Sequence, residues 1–257
     1  MIDIPLFYII AIPAVLIVGI SKGGFGSGLG VVAVPAISLT VSPIQAAGIM
    51  LPILVAMDLV GIWTYRKRFD AANMKIMIPA AIVGISIGTL TFDYMNEQTI
   101  RLIIGGIALT FAADHWIIRR SDKDPARRSI LKGGFWSMVS GFTSFVAHAG
   151  SPPISVYLLP LRLERTIFVG TTVVFFTAVN LAKLAPYWWL GQLAPGNLLT
   201  SAVLMPLAPI GVVLGIYLRD KISPTIFYET CYVFLAIVGV KLLWDGLSPL
   251  LGFANGF

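Results

Sequence analysis

Ser21-Lys22-Gly23-Gly24-Phe25-Gly26-Ser27-Gly28 interrupts an otherwise apolar stretch from Pro5 to Thr40, and its reading decides the fold. As one straight helix that stretch would be about 54 Å long, far beyond a hydrocarbon core of about 30 Å. Four closely spaced glycines are strong helix breakers. The stretch therefore reads as two helical arms joined by a non-helical tip. A second interruption, Ala147-His148-Ala149-Gly150-Ser151-Pro152-Pro153, divides the region from Gly133 to Pro160 in the same way. Irregular backbone at membrane depth survives only where it is buried in protein or lines a wet cavity. The two tips are the places to expect function.

Composition supports a bilayer setting. Of 257 residues, 57% are hydrophobic and only 12% charged. That leaves too little polar surface to coat a water-soluble globule. A cytosolic enzyme, a DNA-binding domain and a disordered chain are excluded, and no nucleic-acid partner is expected. The lone Cys231 allows neither an internal disulfide nor a CxxC metal site. Met1 to Pro5 has Asp3 but no Lys or Arg, so the first apolar segment reads as part of the mature fold and not as a cleavable signal.

Outside the two broken regions, apolar runs over 49–65, 76–92, 99–118, 166–190, 198–218 and 227–244 are long enough to span a bilayer. Each must be helical to satisfy its own backbone. Basic residues mark one side. Arg66, Lys67, Arg68 and Lys75 share a loop, and Arg119, Arg120, Lys123, Arg127, Arg128 and Lys132 share another. Arg162 and Arg165 flank a third turn, Arg219 and Lys221 a fourth. Loops 41–48, 93–98 and 191–197 have none. All basic loops reach the cytoplasm only if both broken regions are hairpins.

The expected fold is an all-α polytopic membrane protein of two inverted repeats, each a broken-helix hairpin plus three transmembrane helices. The first repeat covers 1–118, with its hairpin at 5–40. A basic linker covers 119–132. The second repeat covers 133–257, with its hairpin at 133–160. Weak echoes support the pairing: Gly28-Leu29-Gly30 with His148-Ala149-Gly150, Ala47-Gly48 with Val169-Gly170, Asp58 with Asn180, and Gly84/Gly88 with Gly211/Gly215. Inverted repeats with broken helices meeting near the midplane are a sequence signature of secondary transporters.

Gly19-Ile20-Ser21-Lys22-Gly23-Gly24-Phe25-Gly26-Ser27-Gly28-Leu29-Gly30 with Val34-Pro35 resembles the first signature of the sulfite exporter TauE/SafE family. His148-Ala149-Gly150-Ser151-Pro152-Pro153, Tyr157-Leu158-Leu159-Pro160, Phe168-Val169-Gly170-Thr171-Thr172 and Asn180-Leu181-Ala182-Lys183-Leu184-Ala185-Pro186-Tyr187 resemble its second-half pattern. The resemblance implies a multi-pass permease of the bacterial inner membrane that moves small sulfur-containing anions such as sulfite or organosulfonates. Ser151-Pro152-Pro153 departs from the unbroken glycine run of many second-half motifs, which leaves the substrate open.

The candidate substrate-binding residues follow from what an oxyanion needs, which is convergent donors and a compensating cation. Lys22 at the midplane costs at least ~2.5 kcal/mol unless paired. Gly23, Gly24, Gly26 and Gly28 let backbone N–H groups approach, and Ser21 and Ser27 add hydroxyls. The facing tip offers His148, Gly150 and Ser151; Asn180 and Lys183 share a helix face one turn apart. The bland alternatives are snorkelling of Lys22 or Lys183 to an interface and a structural, hydrogen-bonded His148. Asp58, mid-span, is a candidate coupling residue, with helix packing as its alternative. Gln45, Thr171 and Thr172 are candidate gating positions. No cofactor or metal is expected, since His115 and His148 are too few and too far apart. The expected partners are a small anion and the lipid bilayer, and a homodimer stays open. Proton-coupled uptake of an organic anion is the alternative function; a membrane-embedded enzyme is a weaker one, because neither HExxH nor GxSxG occurs.

Overall fold

The structure is a computed structural model that describes residues 2, 4–25, 27–117, 126–218, 221 and 223–249. Gly26, the linker stretch 119–125 and the chain ends lie outside the described residues, as do the side chains of Ser27, His115 and Cys231. All regular elements among the described residues are helical: α1 (Pro5–Ile20), α2 (Ala33–Ile37), α3 (Pro43–Tyr65), α4 (Ala71–Thr91), α5 (Glu97–Ile117), α6 (Ile130–Ala147), α7 (Ser151–Leu158), α8 (Arg165–Trp189), α9 (Pro195–Leu204), α10 (Leu207–Leu218) and α11 (Pro224–Leu247).

Helix starts lie ahead of the apolar runs because polar caps set them. Ser42 accepts from Gln45 N and is followed by Pro43, so α3 begins there and not at Ile49. Asp70 accepts from Ala72 N and Asn73 N, which moves the start of α4 back to Ala71. The apolar run over 198–218 lies in one membrane-long helical stretch, Pro195–Leu218, that a two-residue turn divides into α9 and α10. Proline at 206 has no N–H to donate, and the chain turns at Met205–Pro206 between α9 and α10.

The first tip differs from the expected non-helical loop. Ser21–Phe25 continues α1 as a wide π-helical turn, and Ser27–Val32 is a 3-10 turn leading into α2. The glycines here serve helix contact instead of unwinding. A Cβ on Gly19 would sit 2.8 Å from Gly211 Cα, and one on Gly23 would collide with Val212 O. This backbone-to-backbone approach against α10 keeps the segment coiled, so its peptide groups stay paired inside the fold. The second tip is irregular over a short stretch. His148 ends α6 in the left-handed region at φ 52°, Thr143 Oγ1 donates to Ala149 O at 3.0 Å, and Ser140 Oγ donates to Gly150 O at 2.7 Å.

Among the described residues, five helical stretches are long and apolar enough to cross a membrane: Pro5–Gly24, Pro43–Trp63, Ala71–Tyr94, Thr166–Trp189 and Pro195–Leu218. The expected spans over 99–118 and 227–244 are the helices α5 and α11, which fall outside this group. These two pack on each other and share charges at their ends. Arg101 binds Glu97 at 2.7 Å and lies 4.0 Å from Asp245, and Trp116 Nε1 donates to Glu229 at 2.9 Å. Elsewhere α4 packs on α6, α1 on α10, and α3 on α8.

Polarity runs opposite to that of a soluble protein. Leu59, Leu90, Trp188, Trp189 and Ile237 are exposed, whereas Asp58, Asn73, His148, Asn180 and Lys183 are buried. An apolar shell around a polar interior is stable only against lipid. This is a membrane protein.

Candidate functional site

Two buried charge clusters meet where the hairpin tips approach α3 and α8. The first is built on Asp58, at mid-helix in α3 and the one buried carboxylate among the described residues. Lys22 Nζ, from the π turn, pairs with Asp58 Oδ1, and Asn180 Nδ2, from α8, donates to Oδ2 at 2.6 Å. Both carboxylate oxygens are therefore engaged, one from each half of the chain.

The second cluster lies one turn further along α8. Lys183 is fully buried, and its ammonium finds three acceptors: Ser144 O and Ser144 Oγ at 3.0 Å each, and His148 Nδ1 at 2.7 Å. His148 Nε2 faces Ala47 O at 2.9 Å. A carbonyl only accepts, so Nε2 carries the hydrogen and Nδ1 presents its lone pair to Lys183. The three N–H groups of Lys183 are thereby satisfied, but its charge is not matched by any carboxylate in contact. Lys22 and Asp58 lie within Coulombic reach of it. Together the clusters bring two lysine amines close to one carboxylate.

The two tips touch. A Cβ placed on Gly30 would lie 3.5 Å from Ser151 Oγ and 3.6 Å from His148 O. Lys22, Asp58, Asn180, Lys183 and His148 thus come together, with buried Ser21 and Ser151 on the same two tips. Gly28 lies in the 3-10 turn, and Gly150 is packed against Ser140 and Phe176. Gly23 turns its open side to α10, and Gly24 is buried beside it. The threonines and Gln45 stand apart. Thr171 Oγ1 accepts from Asp70 N at 2.9 Å, Thr172 Oγ1 donates to its own helix at Val169 O, and Gln45 Nε2 donates to Asn197 Oδ1 at 3.2 Å. With both imidazole nitrogens engaged, His148 has none left to activate Ser151 as a nucleophile.

Lys183 does not snorkel. Tyr187, one turn away, is buried, donating its hydroxyl to Phe145 O at 2.6 Å and stacking edge-on against Phe145. Only Trp188 and Trp189 face outward. The turn of the helix thus sends Tyr187 inward and its two neighbours outward, so the three aromatics do not form one interfacial belt. Ser144 and the carbonyl of Ala47 were missed altogether. A serine inside an amphipathic stretch gives no signal, and a backbone acceptor has no residue type to read. Next to this cluster, an apolar recess lined by Ile44, Ala47, Phe92, Met95, Phe145 and Gln192 ends on the carbonyl-bearing residues that hold His148 and Tyr187.

A separate polar knot ties the basic-loop ends of α4, α7 and α8 to the segment before α6. Arg128 Nη2 binds Asp70 Oδ2 at 2.9 Å, Asn73 Nδ2 donates to Asp70 at 2.9 Å, and Tyr157 OH donates to Asn73 Oδ1 at 2.7 Å. Burial would raise the Asp70 carboxyl, but the Asn73 N–H and the Arg128 guanidinium outweigh it and hold the group below its ordinary 3.8. The sign follows: with a depressed folded value, the contribution is complete above the ordinary carboxylate range and is lost as pH falls through the depressed value. Asp70→Ala is expected to lower thermal stability in detergent at neutral pH by about 1 kcal/mol, chiefly through the lost cap. The gap to wild type should narrow below pH ~4, where Asp70 begins to protonate. A gap that stays constant from pH 7 to pH 3 would mean that the Asp70 charge contributes nothing.

No three His, Cys, Asp or Glu gather as a metal site among the described residues. No curated protein and no solved structure matches the chain significantly. One family model, described as Sulfite exporter TauE/SafE, matches residues 11–242. With that match spanning nearly the whole chain, and so taking in both tips and the buried charges between them, the protein belongs to the sulfite exporter TauE/SafE family.

Proposed function

We propose that the protein is a secondary transporter that exports small sulfur-containing anions, sulfite or an organosulfonate, from the bacterial cytoplasm across the inner membrane. The observation that carries this reading is the pairing of two lysines, Lys22 of the first tip and Lys183 of α8, with a single nearby carboxylate, Asp58, deep among apolar helices. An excess ammonium at that depth is costly unless an anion visits it. Asn180, His148 and the tip hydroxyls would supply the neutral donors. Export needs no coupling ion, because expelling a negative charge from a negative-inside cell yields about 2.3 kcal/mol per 100 mV.

Alternating access would come from two inverted halves, 1–118 and 133–257, joined by the basic linker and rocking about this site. The packing supports that division. Gly84 of α4 lies against Met138 of α6, while Gly211 and Gly215 of α10 lie against Gly19 and Ile20 of α1, so the same helix of each half closes on the other half's first arm. Gly48 of α3 meets Gln192 O before α9, and Gly170 of α8 meets Arg68 O before α4, an exchange of the same kind.

Reconstitution into proteoliposomes tests the reading. Sulfite flux driven by a membrane potential should exceed that of sulfate, taurine and carboxylate controls, and the anion should emerge chemically unchanged. Absence of flux for every anion would remove the transporter assignment; chemical conversion of sulfite would replace it with an enzymatic one.

A further inference from the structure

The donor set around Asp58 is arranged as it would be around a substrate. One carboxylate oxygen takes the Lys22 amine and the other takes the Asn180 amide at 2.6 Å, so an anion on one of the protein's own side chains fills the place of an external one. Lys183, on the same face of α8 one turn away, has no such occupant and leans on neutral acceptors. The side chain of Asp58 is 3% exposed and that of Lys22 is 11%, so the pair is shielded from water, where a competing anion must displace the carboxylate and not merely join it.

We infer that Asp58 is a tethered competitor of the substrate: it neutralises Lys22 and Asn180 while the site is empty, yields them when the anion binds, and returns to drive the anion off. This rests on the anion site proposed above. A tethered carboxylate keeps the empty carrier from exposing a bare ammonium to the membrane interior, and it lowers the affinity for the anion by the strength of the contact it makes first. A transporter gains from that loss, because the anion must also leave.

The consequence separates this role from a packing role and from a ligand role. Asp58→Asn keeps the shape and removes the charge. Sulfite binding to the purified variant, measured by calorimetry, should tighten by about tenfold or more, the range carried by one charge-assisted hydrogen bond. Sulfite release in proteoliposomes should slow, so turnover falls while affinity rises. A folded Asp58→Asn protein that binds sulfite as wild type does, or more weakly, overturns the inference. Should that variant fail to fold, the wild type decides. Its sulfite-induced infrared difference spectrum should show a buried carboxylate band shifting as Asp58 leaves Lys22, and a spectrum without any carboxylate change overturns the inference. Wild type that binds no sulfite overturns both this inference and the anion site on which it rests; wild type that binds while Asp58→Asn gains nothing overturns the inference alone.

Discussion

Lys183→Met cuts anion flux about tenfold to a hundredfold, the range of one charge-assisted contact, and leaves the protein folded. The separation follows from the surroundings of Lys183. Its ammonium has no carboxylate in contact, so removing it leaves no stranded charge behind. Ser144 O stays within α6, and His148 keeps its bond to Ala47 O. Methionine fills the same length with an adaptable apolar chain, and the fully enclosed position favours it over water. A change that leaves the melting transition in place yet stops transport would mark Lys183 as present for the anion. Thermal unfolding and sulfite flux on the same preparation check it, and undiminished flux would place Lys183 outside the path.

Lys22 behaves in the opposite way. Lys22→Met strands Asp58 with only Asn180 for company, and breaking a buried ion pair from one side costs about 3–5 kcal/mol. Folded yield in detergent should collapse. Lys22→Met combined with Asp58→Leu replaces the pair by apolar groups, a change that is often neutral or stabilising. The double variant should recover a monodisperse elution profile and its melting transition, yet still carry no anion, since Lys22 is one of the two cations. A single Lys22→Met variant as stable as wild type would show that Asp58 does not depend on Lys22. Loss of transport in Lys22→Met alone is therefore uninformative, because a fold defect and a site defect look alike there.

The residues that meet in the interior were legible as chemical anomalies. Lys22, Asp58, Asn180 and Lys183 stand out in apolar runs because charge and amide are costly in lipid. Their partners were not legible. Sequence order pairs Asp58 with Asn180 as equivalents, but only packing of α3 on α8 brings the two into contact. The tip glycines misled for a physical reason: glycine both breaks helices and lets them approach, and neighbours decide which. At Gly19 and Gly23 the neighbour is the backbone of α10, so the helix persists as a π turn. The break at Pro206 was visible as a residue and hidden as an event, since the prolines at 52 and 79 lie within unbroken helices. The knot around Asp70 left a cap signature, yet its reach to Arg128 and Thr171 belongs to the tertiary fold.

The left-handed backbone at His148 has a bearing on why that side chain is there. Glycine takes this conformation without penalty, whereas an L-residue costs roughly 1–2 kcal/mol. The turn would form more easily without a ring. An imidazole in that place works against local geometry, and what offsets the cost is its pair of nitrogens, one gripping Ala47 of the first half and the other Lys183 of the second. Of the two bonds only the one to Ala47 reaches outside 133–257, so the rocking motion proposed above would have to part His148 from Ala47 before anything slides at this level.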